Sequence, residues 1–306
     1  MTEPAWTCSF ENLIQSDLFT FYVGEERKTF RVHTAAIAAT SGPFRALLTG
    51  GLAEANQGSA EILDVEPDDF VRFLEYAYRG DYTVPPWTID ESALATSDVD
   101  APEEEPVPDA PTSPTPDDES GSVFAESTDG WEPSVPADHV LPVEKAKQKK
   151  ERDMLTLRST FQERSYVTDG APNAQISESF RPKPNSAVDQ DFTTVFLAHT
   201  RLYIFAEMRL IYPLRSLTLQ KLHKSLIGFQ LYNQRVGDVV KLARWAYEHG
   251  TDRSKGGAIN ELRQLVVEYM ACEVDIIGKH KDFKLLLEDG GEFVTDFWGV
   301  VSKYLL

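Results

Sequence analysis

Residues 16–51 read SDLFTFYVGEERKTFRVHTAAIAATSGPFRALLTGG, and the order of patterns within them decides the fold. Phe19, Phe21 and Val23 alternate with Thr20 and Tyr22; after a Gly-Glu-Glu turn, Phe30 and Val32 alternate with Thr29 and Arg31. Successive side chains of a strand point to opposite faces, so this period of two predicts a half-buried hairpin. At His33 the period changes. Thr34 is placed to cap a short helix over residues 35–39, its hydroxyl accepting from an otherwise orphan amide. Ser41 is placed to cap the next helix, with Pro43 in its first turn, Phe44, Leu47 and Leu48 on one face, and Gly50 and Gly51 at its end. A third strand is expected over 60–65. Pro67 then opens a helix whose Phe70, Phe73, Leu74, Ala77 and Tyr78 share one stripe.

Outside this unit the texture changes twice. Ten of the chain's 18 prolines fall between residues 86 and 144, a stretch with 16 acidic residues and no Lys or Arg. Such a segment has too little apolar surface to offset the entropy of ordering, so disorder is expected. The basic run EKAKQKKER at 144–152 follows, and the linker is expected to continue to about residue 190. From Asp191 the apolar period returns at helical spacing: Phe192, Val195, Phe196, His199, Leu202, Tyr203 and Ala206, then a helix from Pro213 carrying Leu214, Leu217, Leu222 and Leu226. Further helices are expected over 235–248, over 258–271 and after Gly-Gly-Glu-Phe at the end. The expected organisation is therefore 10–85, a linker over 86–190, 191–228 and 229–306.

The chain has 306 residues, of which 42% are apolar, enough for one or two cores. Its formal charge of -19 is concentrated in the linker, and the remainder holds 33 acids against 30 bases. With no basic face to neutralise phosphates, direct nucleic-acid binding is not expected. Cys8 and Cys272 lie far apart without ligand-like neighbours, so neither a metal site nor a disulfide framework is expected. The N-terminus lacks a secretory pattern and no run of 18 apolar residues occurs, which predicts a soluble intracellular protein without a membrane partner.

SDLFTFYVGEERKTFRVHTAAIAATSGPFRALLTGG followed by EILDVEPDDFVRFLEYAYRGDY resembles a BTB/POZ domain over residues 16–82. Thr34 departs from it, the family often having a basic residue there, as does Gly42-Pro43, where a serine-rich turn is commoner. The resemblance implies an α+β fold, a three-stranded sheet with flanking helices, followed here by an all-helical C-terminal region. In the family two more helices follow quickly on the Gly-Asp-Tyr turn. HTRLYIFAEMRLIYPLRSLTLQKLHKSL at 199–226 is similar to those two, which implies a domain split by a long insertion. The C-terminal pattern resembles the helical tail of fungal members. The family also implies a non-catalytic interaction module without cofactors or a small-molecule substrate, with proteins as partners: a cullin scaffold of a ubiquitin ligase, or a second copy.

Each candidate residue has two readings. Asp17, His33 and Ser41 could be drawn as a hydrolase triad, but no Gly-x-Ser-x-Gly elbow is present and Ser41 already serves as a cap. The resemblance makes Asp17 and His33 structural polar positions. Leu52 and Glu54 match the spacing by which adaptor members dock a cullin, an apolar anchor and an acid at the pocket rim; the competing reading is loop packing and a solvated charge. Lys149, Lys150 and Arg152 read either as a nuclear-import run, which would give a nuclear as well as cytoplasmic location, or as a solvated helix start. His199, His223, His249 and His280 read as helix or loop residues rather than ligands.

Overall fold

The structure, a computed structural model, describes residues 9–51, 53–92, 142–167, 174–251 and 258–304. Helix α1 (Phe10–Ile14), capped by the Ser9 hydroxyl, leads into β1 (Leu18–Val23) and β2 (Lys28–His33). The hairpin pairs Phe19 with Val32 and Phe21 with Phe30, so the alternating aromatics lie on one buried face. Then come α2 (Thr34–Ala38), α3 (Gly42–Thr49), α4 (Ala53–Gln57), β3 (Ser59–Ile62) and α5 (Pro67–Arg79). β3 is shorter than the 60–65 expected. It returns parallel to β1, giving the order β2-β1-β3.

The caps are partly as expected. Ser41 Oγ accepts from Phe44 N at 3.3 Å. Thr34, however, does not cap α2. That helix begins one residue earlier than expected, with His33 in the cap position. The free amides there go elsewhere: Thr34 N donates to the Asp17 carbonyl at 2.8 Å and Ala35 N to Ser16 Oγ at 3.1 Å.

After α5 a two-residue strand β4 (Thr88–Ile89) precedes α6 (Pro142–Gln162) and α7 (Ala174–Ser179), and β4 pairs antiparallel with β5 (Gln190–Asp191). Next come α8 (Thr193–Met208), α9 (Tyr212–Gly228), a 3-10 turn (Asn233–Arg235) and α10 (Val236–His249). The fold closes with α11 (Glu261–Cys272), α12 (Val274–Ile277), α13 (Lys281–Glu288) and α14 (Glu292–Tyr304). No described helix is long and apolar enough to cross a membrane.

Two apolar cores result, and α8 is the wall between them. Leu202, Phe205 and Ala206 join the core of the sheet, α3 and α5, whereas Phe196 and Tyr203 join the core of the C-terminal helices. A helix apolar on nearly every side is one buried on both. Phe205 makes the first junction: its ring lies 4.8 Å from that of Phe73, 6.2 Å from Phe44 and 6.5 Å from Phe70. Leu214 and Leu217 of α9 enter the same core.

The expected linker is shorter than its composition suggested. Residues 93–141 lie outside the described residues, but the second half of the segment is folded. α6 buries Leu157 and Phe161 in the C-terminal core. Those two stand at i, i+4, so two side chains plus Met154 beside them are enough to seat a helix that is otherwise polar. Further on, buried Asn185 uses both ends of its amide on Gln230, donating to the carbonyl and accepting from the amide, each at 2.7 Å.

Candidate functional site

The turn that ends α5 is held by the C-terminal half of the chain. Gly80 takes φ +74°, where a side chain would be strained, and turns Asp81 and Tyr82 inward. Lys221 of α9, 2% exposed, places its ammonium on the Asp81 carboxylate and donates to the Tyr82 carbonyl at 2.9 Å. It also lies 4.3 Å from the Tyr82 ring centroid and 4.8 Å from that of Phe180. Burial pushes the Lys221 pKa down, and the Asp81 carboxylate pulls it back up. The Tyr82 hydroxyl meets His199 Nδ1 at 2.6 Å, and His199 Nε2 faces Ser225 Oγ at 3.4 Å. Burial holds the Tyr82 hydroxyl well above its ordinary pKa and the imidazole down at about 3 against 6.5. The phenol is therefore the donor, and the neutral ring keeps its proton on Nε2 toward Ser225.

Lys221, Tyr82 and His199 are buried beneath the partly exposed Asp81 carboxylate, so the cluster is a structural tie with a pH signature. The folded state refuses the proton that unfolded His199 accepts, so stability is lost as the pH falls below about 6.5 and goes on falling until about 3. The slope from this group is about 1.4 kcal/mol per pH unit. Asp238, raised to about 6 by burial, acts in the opposite direction below pH 6, and the His223 imidazole, also pushed down, acts in the same direction as His199. We therefore expect His199→Gln to flatten the pH dependence of chemical unfolding between pH 6 and 4. Parallel curves for variant and wild type would show that the imidazole titrates normally.

His33 is also a tie. Its backbone N–H donates to Tyr78 Oη at 2.9 Å, and the same hydroxyl lies 2.9 Å from His33 Nδ1. An oxygen that accepts from the amide has its own proton free for Nδ1, so one tyrosine locks the end of β2 to α5. Asp17 is exposed, and it is its carbonyl that serves the turn. Ser41 is nowhere near such a pair; it caps α3. The structure thus scatters Asp17, His33 and Ser41 over separate hydrogen bonds.

The remaining histidines among the described residues fall on helices or their caps. His223 Nε2 meets the Phe161 carbonyl at 2.6 Å, His249 stacks on Trp245 with centroids 3.8 Å apart, and His280 Nδ1 accepts from Asp282 N at 3.2 Å as the cap of α13. Cys272 is buried, and burial pushes its thiol up to about 12, which suits packing rather than nucleophilic use.

Leu52 lies outside the described residues. Glu54 sits half-buried in the first turn of α4, the corner between α3 and β3. Gly51 and Gly58 flank that corner with φ of +73° and +64°, and neither has another atom within 4 Å of where a Cβ would stand. The backbone conformation, not crowding, selects glycine there. Lys149, Lys150 and Arg152 are exposed along the first half of α6. A stripe of exposed apolar side chains, Phe10, Ile14 and Leu18, lies on α1 and the start of β1.

A small sheet with helices packed on it, presenting corners and stripes, has the form of a binding scaffold. Residues 10–99 match the family model of the BTB/POZ domain, so the chain carries a BTB/POZ domain, generally a non-catalytic protein-interaction module. Among curated proteins it is similar to Kelch-like protein 26 of Danio rerio, with 30% identity over 70 residues, or 23% of this chain. That match spans 12% of the relative's own length. The relative is a fish protein; the fungal affinity rests on the sequence resemblance alone. Lys221 and Phe205, which complete the unit's packing, had no signal in the sequence beyond helical spacing, and their partners stand more than a hundred positions away.

Proposed function

We propose that this chain is a protein-interaction adaptor whose BTB/POZ unit, completed by α8 and α9, offers the α3–α4 corner to a cullin-type scaffold of a ubiquitin ligase. The observation that carries this reading is the placement of Glu54: a half-buried carboxylate on the first turn of a short helix, two positions after Leu52 in sequence and between two glycine-only bends. An apolar anchor beside such an acid is the kind of contact that concentrates binding energy. The resemblance to adaptor members and the Kelch-like relative support it. Glu54→Lys should remove the cullin-type scaffold from material co-purified with the full chain, at unchanged thermal stability.

The exposed Phe10, Ile14 and Leu18 stripe favours a second reading: a scaffold that pairs with itself and is imported to the nucleus through the run at Lys149, Lys150 and Arg152, with the acidic segment recruiting other factors. The same measurement separates the two. Under the second reading, Glu54→Lys leaves the co-purified partners as they were. A tagged full chain absent from nuclei would remove the import run from it.

A further inference from the structure

We infer that a groove between the BTB/POZ unit and the C-terminal helices binds a short basic segment of a partner protein, one apolar side chain flanked by Lys or Arg. It is not the corner that carries Glu54. α4 stands before β3, whereas the groove is built by the residues after it, Leu63–Glu66, together with the β1–β2 turn, α8 and α10.

Its floor is apolar. A volume of about 420 Å³ is lined by Leu63, Val65, Ile204, Phe205, Met208 and Trp245. Leu63 is 50% and Met208 60% exposed, and both line this one groove. One wall is stacked rather than packed: His249 lies on the Trp245 ring, and the Arg201 guanidinium covers the ring at 4.6 Å.

Its rim is acidic. The groove runs on into a second volume of about 770 Å³ that shares Glu25, Glu66, Asp69 and Arg201 with it. Together they are lined by six carboxylates and four cations. Three of the cations face two of the acids: Arg72 and Arg201 lie 2.7 and 3.8 Å from the one buried Asp69 carboxylate, and Arg209 lies 3.0 Å from Asp64, which leaves one positive charge over. That charge and Lys28 stand against Glu25, Glu26, Glu66 and Asp68, all four exposed, so the lining carries a net charge of -2. A segment bringing lysines or arginines meets opposite charge along both volumes. An acidic partner, including the chain's own acidic stretch, meets repulsion.

The test uses the full chain and a fluorescent octapeptide in which a central Leu-Trp pair is flanked on each side by two lysines. Anisotropy titration is expected to show saturable binding. Replacing Leu-Trp by Gly-Gly, or the protein's Met208 by Asp, should weaken it about ten-fold or more, since a buried side chain of this size is worth at least that factor. Replacing the lysines by glutamates should abolish it. Met208 is exposed, so Met208→Asp should keep the wild-type thermal transition; should it not, the double variant Glu25→Lys with Glu66→Lys carries the same expectation. Equal affinity for the Gly-Gly peptide, or for the groove variants, would mean that lysines simply collect on the acidic stretch, and would overturn the inference. So would a wild-type dimer that Met208→Asp converts to monomer while peptide binding is unchanged, which would assign the groove to a second copy.

Discussion

Phe205→Ala is expected to cost about 3–5 kcal/mol of unfolding free energy, read from urea denaturation of the full chain. The ring is 3% exposed and faces three other aromatic rings contributed by α3 and α5. Its removal leaves a cavity that rigid neighbours on two elements cannot refill. The result bears on architecture as much as on stability, because Phe205 lies more than a hundred residues beyond the segment that matches the BTB/POZ model. If α8 completes that unit, the hairpin and α5 loosen together with it. Tyr212→Ala, at a position 59% exposed on the following helix, is the control, expected within about 0.5 kcal/mol of wild type. A loss for Phe205→Ala no larger than that control would detach α8 from the first core.

The second large effect separates two excisions. Replacing residues 93–141 by a Gly/Ser loop of about 20 residues should leave one cooperative transition close to wild type, since loop entropy changes only slowly with length. Replacing 90–186 should collapse the C-terminal helices. That cut removes Leu157 and Phe161 from the core, the Asp90 carboxylate from buried Arg235, and Asn185 from Gln230. The two apolar side chains alone account for roughly 5–8 kcal/mol, comparable with the whole stability of a domain. Equal melting curves for the two excised proteins would mean that α6 is a passenger. Both cuts leave the base of the insertion under the same question: Asp90 N donates to the Asp189 carbonyl at 2.7 Å, next to the β4–β5 pair, so the chain leaves and re-enters at one point.

Much of the first unit was legible because its signals are local. Alternation at Phe19, Phe21 and Val23 needs only the pleat of a strand. Ser41 needs only the amide three residues on, and Gly80 only its own φ. Thr34 misled for the same reason: it has the right side chain for a cap, but the helix already begins at Thr34, and Ser16, just after α1, reaches in to accept from the Ala35 amide. Asp17 misled in another way, its exposed carboxylate leaving the structural work to its backbone. α6 was read at most as a solvated helix start within the linker, because a helix with two buried side chains among charged ones has no amphipathic stripe until a partner surface exists to seat it.

The sequence by itself determined the hairpin, the capped helices after it, the resemblance to a BTB/POZ domain and the presence of a long helical C-terminal part, all of them consequences of periodicity and of residues within a few positions of one another. Tertiary structure alone decided that α8 is shared by two cores, that Lys221 and His199 close over Asp81 and Tyr82, and that a groove with an apolar floor and an acidic rim opens where α10 meets the end of β3. These depend on which distant side chains burial brings together, and a neutral imidazole or a twice-buried helix has no meaning until that packing exists.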